Sequence, residues 1–112
     1  MDTIKTLVIE PLRRPELRDI DPTITAIGKT IGGYAEPLPL DRRTTLWCDE
    51  EGAIKNLKPN RTIRLSQDSR LADAGKPIII RGTFVITGPH PQDGPLGLDD
   101  EQIGRYAAMF AD

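Results

Sequence analysis

Lys55, Lys58, Arg61 and Arg64 recur every three residues, and no acid lies between Gly52 and Gln67. In a chain of formal net charge −2 this run is a local positive field. A guanidinium can clasp a phosphate through two parallel N–H···O bonds. Asn60 adds an amide, and a turn around Pro59-Asn60 would offer backbone N–H groups to an anion. The chemistry these residues suggest is recognition: Lys58, Asn60 and Arg61 as ligands of an anion, with Tyr34 or Trp47 as an aromatic face for a base. The competing reading is a solvated basic face, with Arg61 paired to Glu50 or Glu51. Nucleic acid is a third reading. Few aromatics lie near for a single-strand stacking platform, and the acidic balance, with pI near 5.4, argues against duplex DNA as a partner.

Catalytic arrangements fail one by one. Gly28-Lys29-Thr30 resembles the end of a phosphate-binding loop, but Thr23 stands where that motif needs its first Gly, and the segment falls inside a helical pattern. His90 is the only histidine and sits between Pro89 and Pro91. With Cys48 as the only cysteine it makes no recognisable zinc site and no disulfide, and no cofactor is expected. Cys48, beside Trp47, reads as a small buried hydrophobe. Ser66 and Ser69 lie in a polar stretch without a nucleophile elbow. Asp49-Glu50-Glu51 could hold a cation or form an acid–base pair, but on a tight turn ending at Gly52 these carboxylates are expected to face water, with Gly52 supplying a positive φ.

The elements that must position these residues follow from apolar spacing. Residues 4–10 read as a core strand ended by Pro11, and 16–20 as a second strand, paired most simply as a hairpin. Asp21-Pro22 is a helix start, and Ile24, Ile27 and Ile31 form one stripe, so a helix is predicted over about 22–31, closed by Gly32-Gly33. Residues 34–40 read as extended, and Pro37 and Pro39 confine them to an edge. Thr44–Cys48 is a strand, 53–57 a short segment, Pro59-Asn60 a break, and 66–77 a loop. Residues 77–87 read as the strongest strand, with Gly82 marking a bulge or a close backbone approach. Residues 88–97 form a Pro- and Gly-rich surface loop. Asp99 with Gln102 makes a capping box, Leu98 and Ile103 a hydrophobic staple, and Ile103, Tyr106, Ala107 and Phe110 one apolar face, predicting a helix over about 100–111.

At 112 residues the chain suits a single α+β domain spanning 1–112, a mainly antiparallel or mixed sheet packed against two helices. No stretch approaches the roughly 18 apolar residues of a membrane span. The N-terminus lacks a signal-peptide pattern, so a soluble cytoplasmic protein without a membrane partner is expected.

Five motifs then occur in order: Gly32-Gly33-Tyr34 with Glu36; Asp49-Glu50-Glu51-Gly52; Leu57-Lys58-Pro59-Asn60-Arg61; Gly82-Thr83-Phe84-Val85-Ile86; and Leu98-Asp99-Asp100-Glu101-Gln102. Together, over roughly residues 4 to 110, they resemble a family of small phage- and plasmid-borne proteins, the domain of unknown function 3846. The resemblance implies a mobile-element setting, hence the host cytoplasm, and no activity. The loop 88–97 looks like an extension beyond the compact family pattern.

Two functions are expected from this reading. One is a non-catalytic phage or mobile-element accessory protein that binds and sequesters a small phosphorylated, nucleotide-type ligand as a counter-defence protein, with a homo-oligomer suiting such a pocket. The alternative is a protein–protein interaction module that inhibits or adapts a host protein through the 34–40 edge and the 88–97 loop.

Overall fold

Leu7-Val8-Ile9 is apolar on successive residues rather than alternate ones, as expected of a strand covered on both faces. The computed structural model of the chain, which describes residues 2–65, 75–92 and 94–111, has that arrangement. Its elements are β1 (Ile4–Ile9), β2 (Glu16–Ile20), α1 (Ile24–Ile31), β3 (Ala35–Asp41), β4 (Thr44–Asp49), β5 (Pro59–Arg64), β6 (Pro77–Arg81), β7 (Phe84–Thr87) and α2 (Asp100–Met109). Five strands form one antiparallel sheet in the order β2-β1-β7-β4-β3, and β5 and β6 form a separate antiparallel ribbon. This is an α+β fold.

Side-chain alternation sorts the core into two layers. Leu7, Ile9, Leu46, Phe84 and Ile86 point to the face covered by α2, through Tyr106 and Phe110, and by the ribbon, through Ile63 and Ile80. Val8, Ile20, Trp47 and Val85 point to the opposite face, covered by α1 through Ile27 and Ile31. The predicted β1–β2 hairpin forms, with Leu7 opposite Leu17. Its turn closes with the Arg13 N–H donating to the Glu10 carbonyl. Leu12 sits at the third turn position with φ 64°, a conformation in which glycine is the favoured residue.

The capping box of α2 is present: Asp99 Oδ1 accepts from the Gln102 N–H and Gln102 Oε1 from the Asp99 N–H. Gly32 ends α1 in the left-handed conformation. The start of α1 differs from expectation. Thr23, not Asp21, is the cap, its Oγ1 accepting from the Ala26 N–H, because the chain first turns tightly between Asp21 and Thr23.

Two larger differences concern the ribbon. Pro59-Asn60 does not break the chain; it opens β5. Proline is tolerated at the first residue of a strand, and the partner that makes this segment a strand, β6, lies far along the chain. Nor is 77–87 one strand. Gly82, at φ 78°, is the corner where the chain leaves the ribbon for the main sheet, and a β-carbon there would lie 2.8 Å from Leu57 Cδ1. The expected loop at 66–77 lies mostly outside the described residues.

Candidate anion-binding site

Arg61 stands on β5 where three parts of the chain meet. Its Nη1 donates to Asn60 Oδ1 at 2.7 Å, and its Nη2 donates to the carbonyls of Arg13 (2.7 Å) and Phe110 (2.9 Å). Phe110 caps the C-terminus of α2, where a cation is favoured by the helix dipole and by carbonyls without helical partners. Asn60 Nδ2 donates to Ile9 O (2.8 Å) and Gly82 O (2.9 Å). The expected ligand pair is thus a fastener: Asn60 ties the ribbon to β1 and the Gly82 corner, and Arg61 ties it to the hairpin turn and α2. Neither side chain is free to clasp a phosphate as the sequence reading supposed. Arg61 Nε is buried without a partner, the sole such side-chain nitrogen or oxygen among the described residues.

Two cavities flank this junction and share Arg61 in their walls. One, about 430 Å³, is lined by Leu12, Arg13, Arg14, Asn60, Arg61 and Ala111. The other, about 510 Å³, is bounded by Arg61, Arg64, Arg105, Tyr106 and Met109, with Leu40, Thr62, Ile63 and Phe110 behind them. Five arginines and no acidic side chain line the pair, among the described residues. Arg64 Nη1 donates to Gly75 O at 2.8 Å, and the Arg105 guanidinium lies 5.7 Å from the Tyr106 ring centre. Arg13 meets Glu10 at 3.9 Å on the exposed turn. The Tyr106 hydroxyl donates to Asp41; burial first, and this carboxylate second, push the phenol up to about 12. Tyr106 is uncharged at neutral pH, but Asp41 behind it is a carboxylate: burial opposes its ionisation, and hydrogen bonds from Tyr106 and the Arg43 N–H, with the charge of Arg105, still hold its pKa below the usual value.

The rest of the basic run disperses. Lys58 is exposed and lines neither cavity. Lys55 donates to Asp49 Oδ2 at 2.9 Å. Asp49 does not face water: its side chain is 1 % exposed and also accepts from the Glu51 N–H. Burial opposes its ionisation, but the hydrogen bonds from Lys55 and Glu51 outweigh burial and hold its pKa below the usual value. Gly52 does not adopt a positive φ; Asn56, at 56°, does. Nor does Arg61 pair with Glu50 or Glu51; its hydrogen bonds go to Asn60 and to backbone carbonyls.

The aromatic candidates separate. Trp47 is 1 % exposed, donates to Thr87 Oγ1 at 2.9 Å, and carries the His90 ring edge-on at 4.7 Å, so it is core and no stacking face. Tyr34 is 75 % exposed and lines a third cavity, about 480 Å³, with Ile24, Lys29 and the backbone of Gly28, Gly32 and Gly33. Among the described residues this groove shares none with the arginine cavities, so Tyr34 and Arg61 do not frame one site.

The chain matches the family model described as Domain of unknown function (DUF3846) over residues 4–111, from the start of β1 to just past α2. It belongs to this family. No curated protein and no solved structure matches it.

The phosphate-loop-like segment and the cysteine have defined places in this DUF3846 chain. Gly28-Lys29-Thr30 lies within α1, with Thr30 Oγ1 donating to Ala26 O. Burial pushes the Cys48 thiol up to about 12, with help from Glu36 and Asp49, which keeps it protonated and a poor nucleophile. No group of His, Cys, Asp and Glu able to hold a metal occurs among the described residues, nor does a helix long and apolar enough to cross a membrane. The basic residues that sequence reasoning missed are Arg13, Arg14 and Arg105. The only signal for them was the type of residue, because the turn and the end of α2 that carry them meet β5 only in the folded chain.

Proposed function

We propose that this DUF3846 domain is a non-catalytic binder of a small phosphorylated, nucleotide-type ligand, seated in the arginine-lined cavities beside Arg61. The observation that carries this reading is five arginines and, among the described residues, no acidic side chain in the walls of two adjoining cavities, in a chain of net charge −2. A cleft lined by one sign of charge raises the local concentration of ligands of the opposite sign. The volumes fall in the range of small-molecule sites, roughly 300–1,000 Å³. Arg61 supplies fixed charge, and the exposed arginines around it supply the contacts. In the phage or mobile-element setting that the family resemblance implies, the protein sequesters a nucleotide signal in the host cytoplasm, as a counter-defence protein. A homo-oligomer suits this role. Calorimetry with a panel of nucleotides on the wild type and on Arg13→Ala/Arg14→Ala tests it: binding by the wild type and a clear loss in the variant are expected, and no heat from any nucleotide at low salt defeats the reading.

The groove beside Tyr34 favours a second reading, a docking site for a host protein. An exposed tyrosine there stands next to β3, the edge strand of the main sheet. A partner recovered by wild type and lost with Tyr34→Ala would support it; recovery unaffected by that change would count against it.

A further inference from the structure

The two arginine cavities are built alike, and the likeness bears on what the ligand is. Each has its own pair of exposed arginines, Arg13 with Arg14 in one and Arg64 with Arg105 in the other. Each also has an apolar side chain held in the open, Leu12 at 82 % exposure and Met109 at 57 %. Leu12 is held there by a backbone conformation that leucine disfavours. Between the halves stands Arg61, whose hydrogen bonds fix it in place. A phosphate on a single nucleotide would engage one pair and leave the other pair unused.

We propose that the ligand carries two phosphate groups set apart on one small molecule, as in a dinucleotide. One phosphate is seated by Arg13 and Arg14, the other by Arg64 and Arg105, and the bases lie over Leu12 and Met109. This rests on the phosphorylated-ligand reading above and sharpens it. Joining two weak seats through one molecule makes the second contact intramolecular, so a two-phosphate ligand gains affinity that a one-phosphate ligand cannot.

The test is calorimetry on the full chain with adenosine 5′-monophosphate, 5′-phosphorylated diadenylate, cyclic diadenylate and an eight-residue oligoadenylate. A diadenylate, linear or cyclic, is expected to bind at least about tenfold more tightly than the monophosphate. Arg13→Gln/Arg14→Gln and Arg64→Gln/Arg105→Gln are each expected to bring it down to the level of the monophosphate. All four arginines are exposed, so the variants are expected to keep their fold, and circular dichroism checks this. The comparison among ligands on the wild type needs no variant. Equal affinity for monophosphate and diadenylates, or loss confined to one arginine pair, overturns the two-seat proposal and leaves the anion reading standing. Affinity that keeps rising from diadenylate to the oligonucleotide overturns it in favour of single-stranded nucleic acid. No binding of any probe at low salt removes the phosphorylated-ligand reading itself.

Discussion

The Arg61 junction and the Tyr34 groove lie on differently built parts of the molecule. At the junction, charge is concentrated and the central cation is consumed by structure: it fastens a hairpin turn, a ribbon and a helix end. In the groove, charge is sparse, the walls include glycine backbone, and the one aromatic stands out in solvent. The difference teaches that a residue central to a site need not be the one that touches a ligand. Arg61 sets the geometry, while Arg13, Arg14, Arg64 and Arg105 are exposed enough to respond to an anion.

Replacing Arg61 should break the contrast most severely if it is right. Arg61→Ala strands the Phe110 and Arg13 carbonyls and is expected to cost about 3 kcal/mol in chemical denaturation, since hydrogen bonds to charged groups contribute roughly 1.5–3 kcal/mol. Arg61→Lys should recover little, because an ammonium lacks the fork that reaches both carbonyls. A loss near zero would return Arg61 to the role of a free ligand.

The groove side has its own constraint, at Gly33. A β-carbon there would lie 2.8 Å from Asp49 Cγ and 2.9 Å from Lys55 Nζ, so Gly33→Ala must displace that ion pair. Overpacking of this kind costs about 1–3 kcal/mol, and denaturation should report a loss of about 2. The pair also makes a pH prediction. The pKa of Asp49 is lower in the folded protein, so its contribution is present above the unfolded value, about 3.9, and is lost as pH falls through the folded value. Stability of the wild type should therefore fall more steeply on acidification than that of Asp49→Asn, as followed by thermal melts from neutral pH to below 4, about the unfolded value.

The smallest effects concern the exposed apolar residues. Leu12→Gly relieves a left-handed leucine, worth roughly 1–2 kcal/mol, against about 0.4–1 kcal/mol of added unfolded-state entropy, so a net gain of about 0.5 kcal/mol is expected. If Leu12 serves ligand binding, the same change weakens that binding while stabilising the fold. Tyr34→Ala should change stability by less than about 0.5 kcal/mol, as for surface positions generally. A larger loss would mean that the groove, like the junction, is structural.

What the sequence made legible was local. The capping box at Asp99 and Gln102, the Gly32 stop of α1 and the apolar run of β1 each act within a few residues, and each stands in the structure as read. What it hid was decided across the chain. The segment 59–64 carries turn-favouring residues at its start, yet pairing with β6 makes it a strand. Regular spacing of Lys55, Lys58, Arg61 and Arg64 suggests one common field, but Asp49 draws Lys55 away and Lys58 lines neither cavity, so only Arg61 and Arg64 stay together. Trp47 carries the polar handle of a binding residue, and that handle is spent on Thr87 within the core.

The corner at Gly82 has a consequence for how the molecule opens. Because β6 and β7 are bonded into different sheets, no continuous ladder runs from the ribbon into the main sheet among the described residues. Units joined by few hydrogen bonds exchange their amides together and at lower cost than the whole fold. The ribbon is such a unit, latched by the Asn60 amide and the Arg61 fork. Amide exchange across β5 and β6 should then be collective and faster than in β1, β4 and β7. A ligand bridging the arginines on either side of the latch would slow that exchange, so occupancy of the site could be read from protons that never touch the ligand.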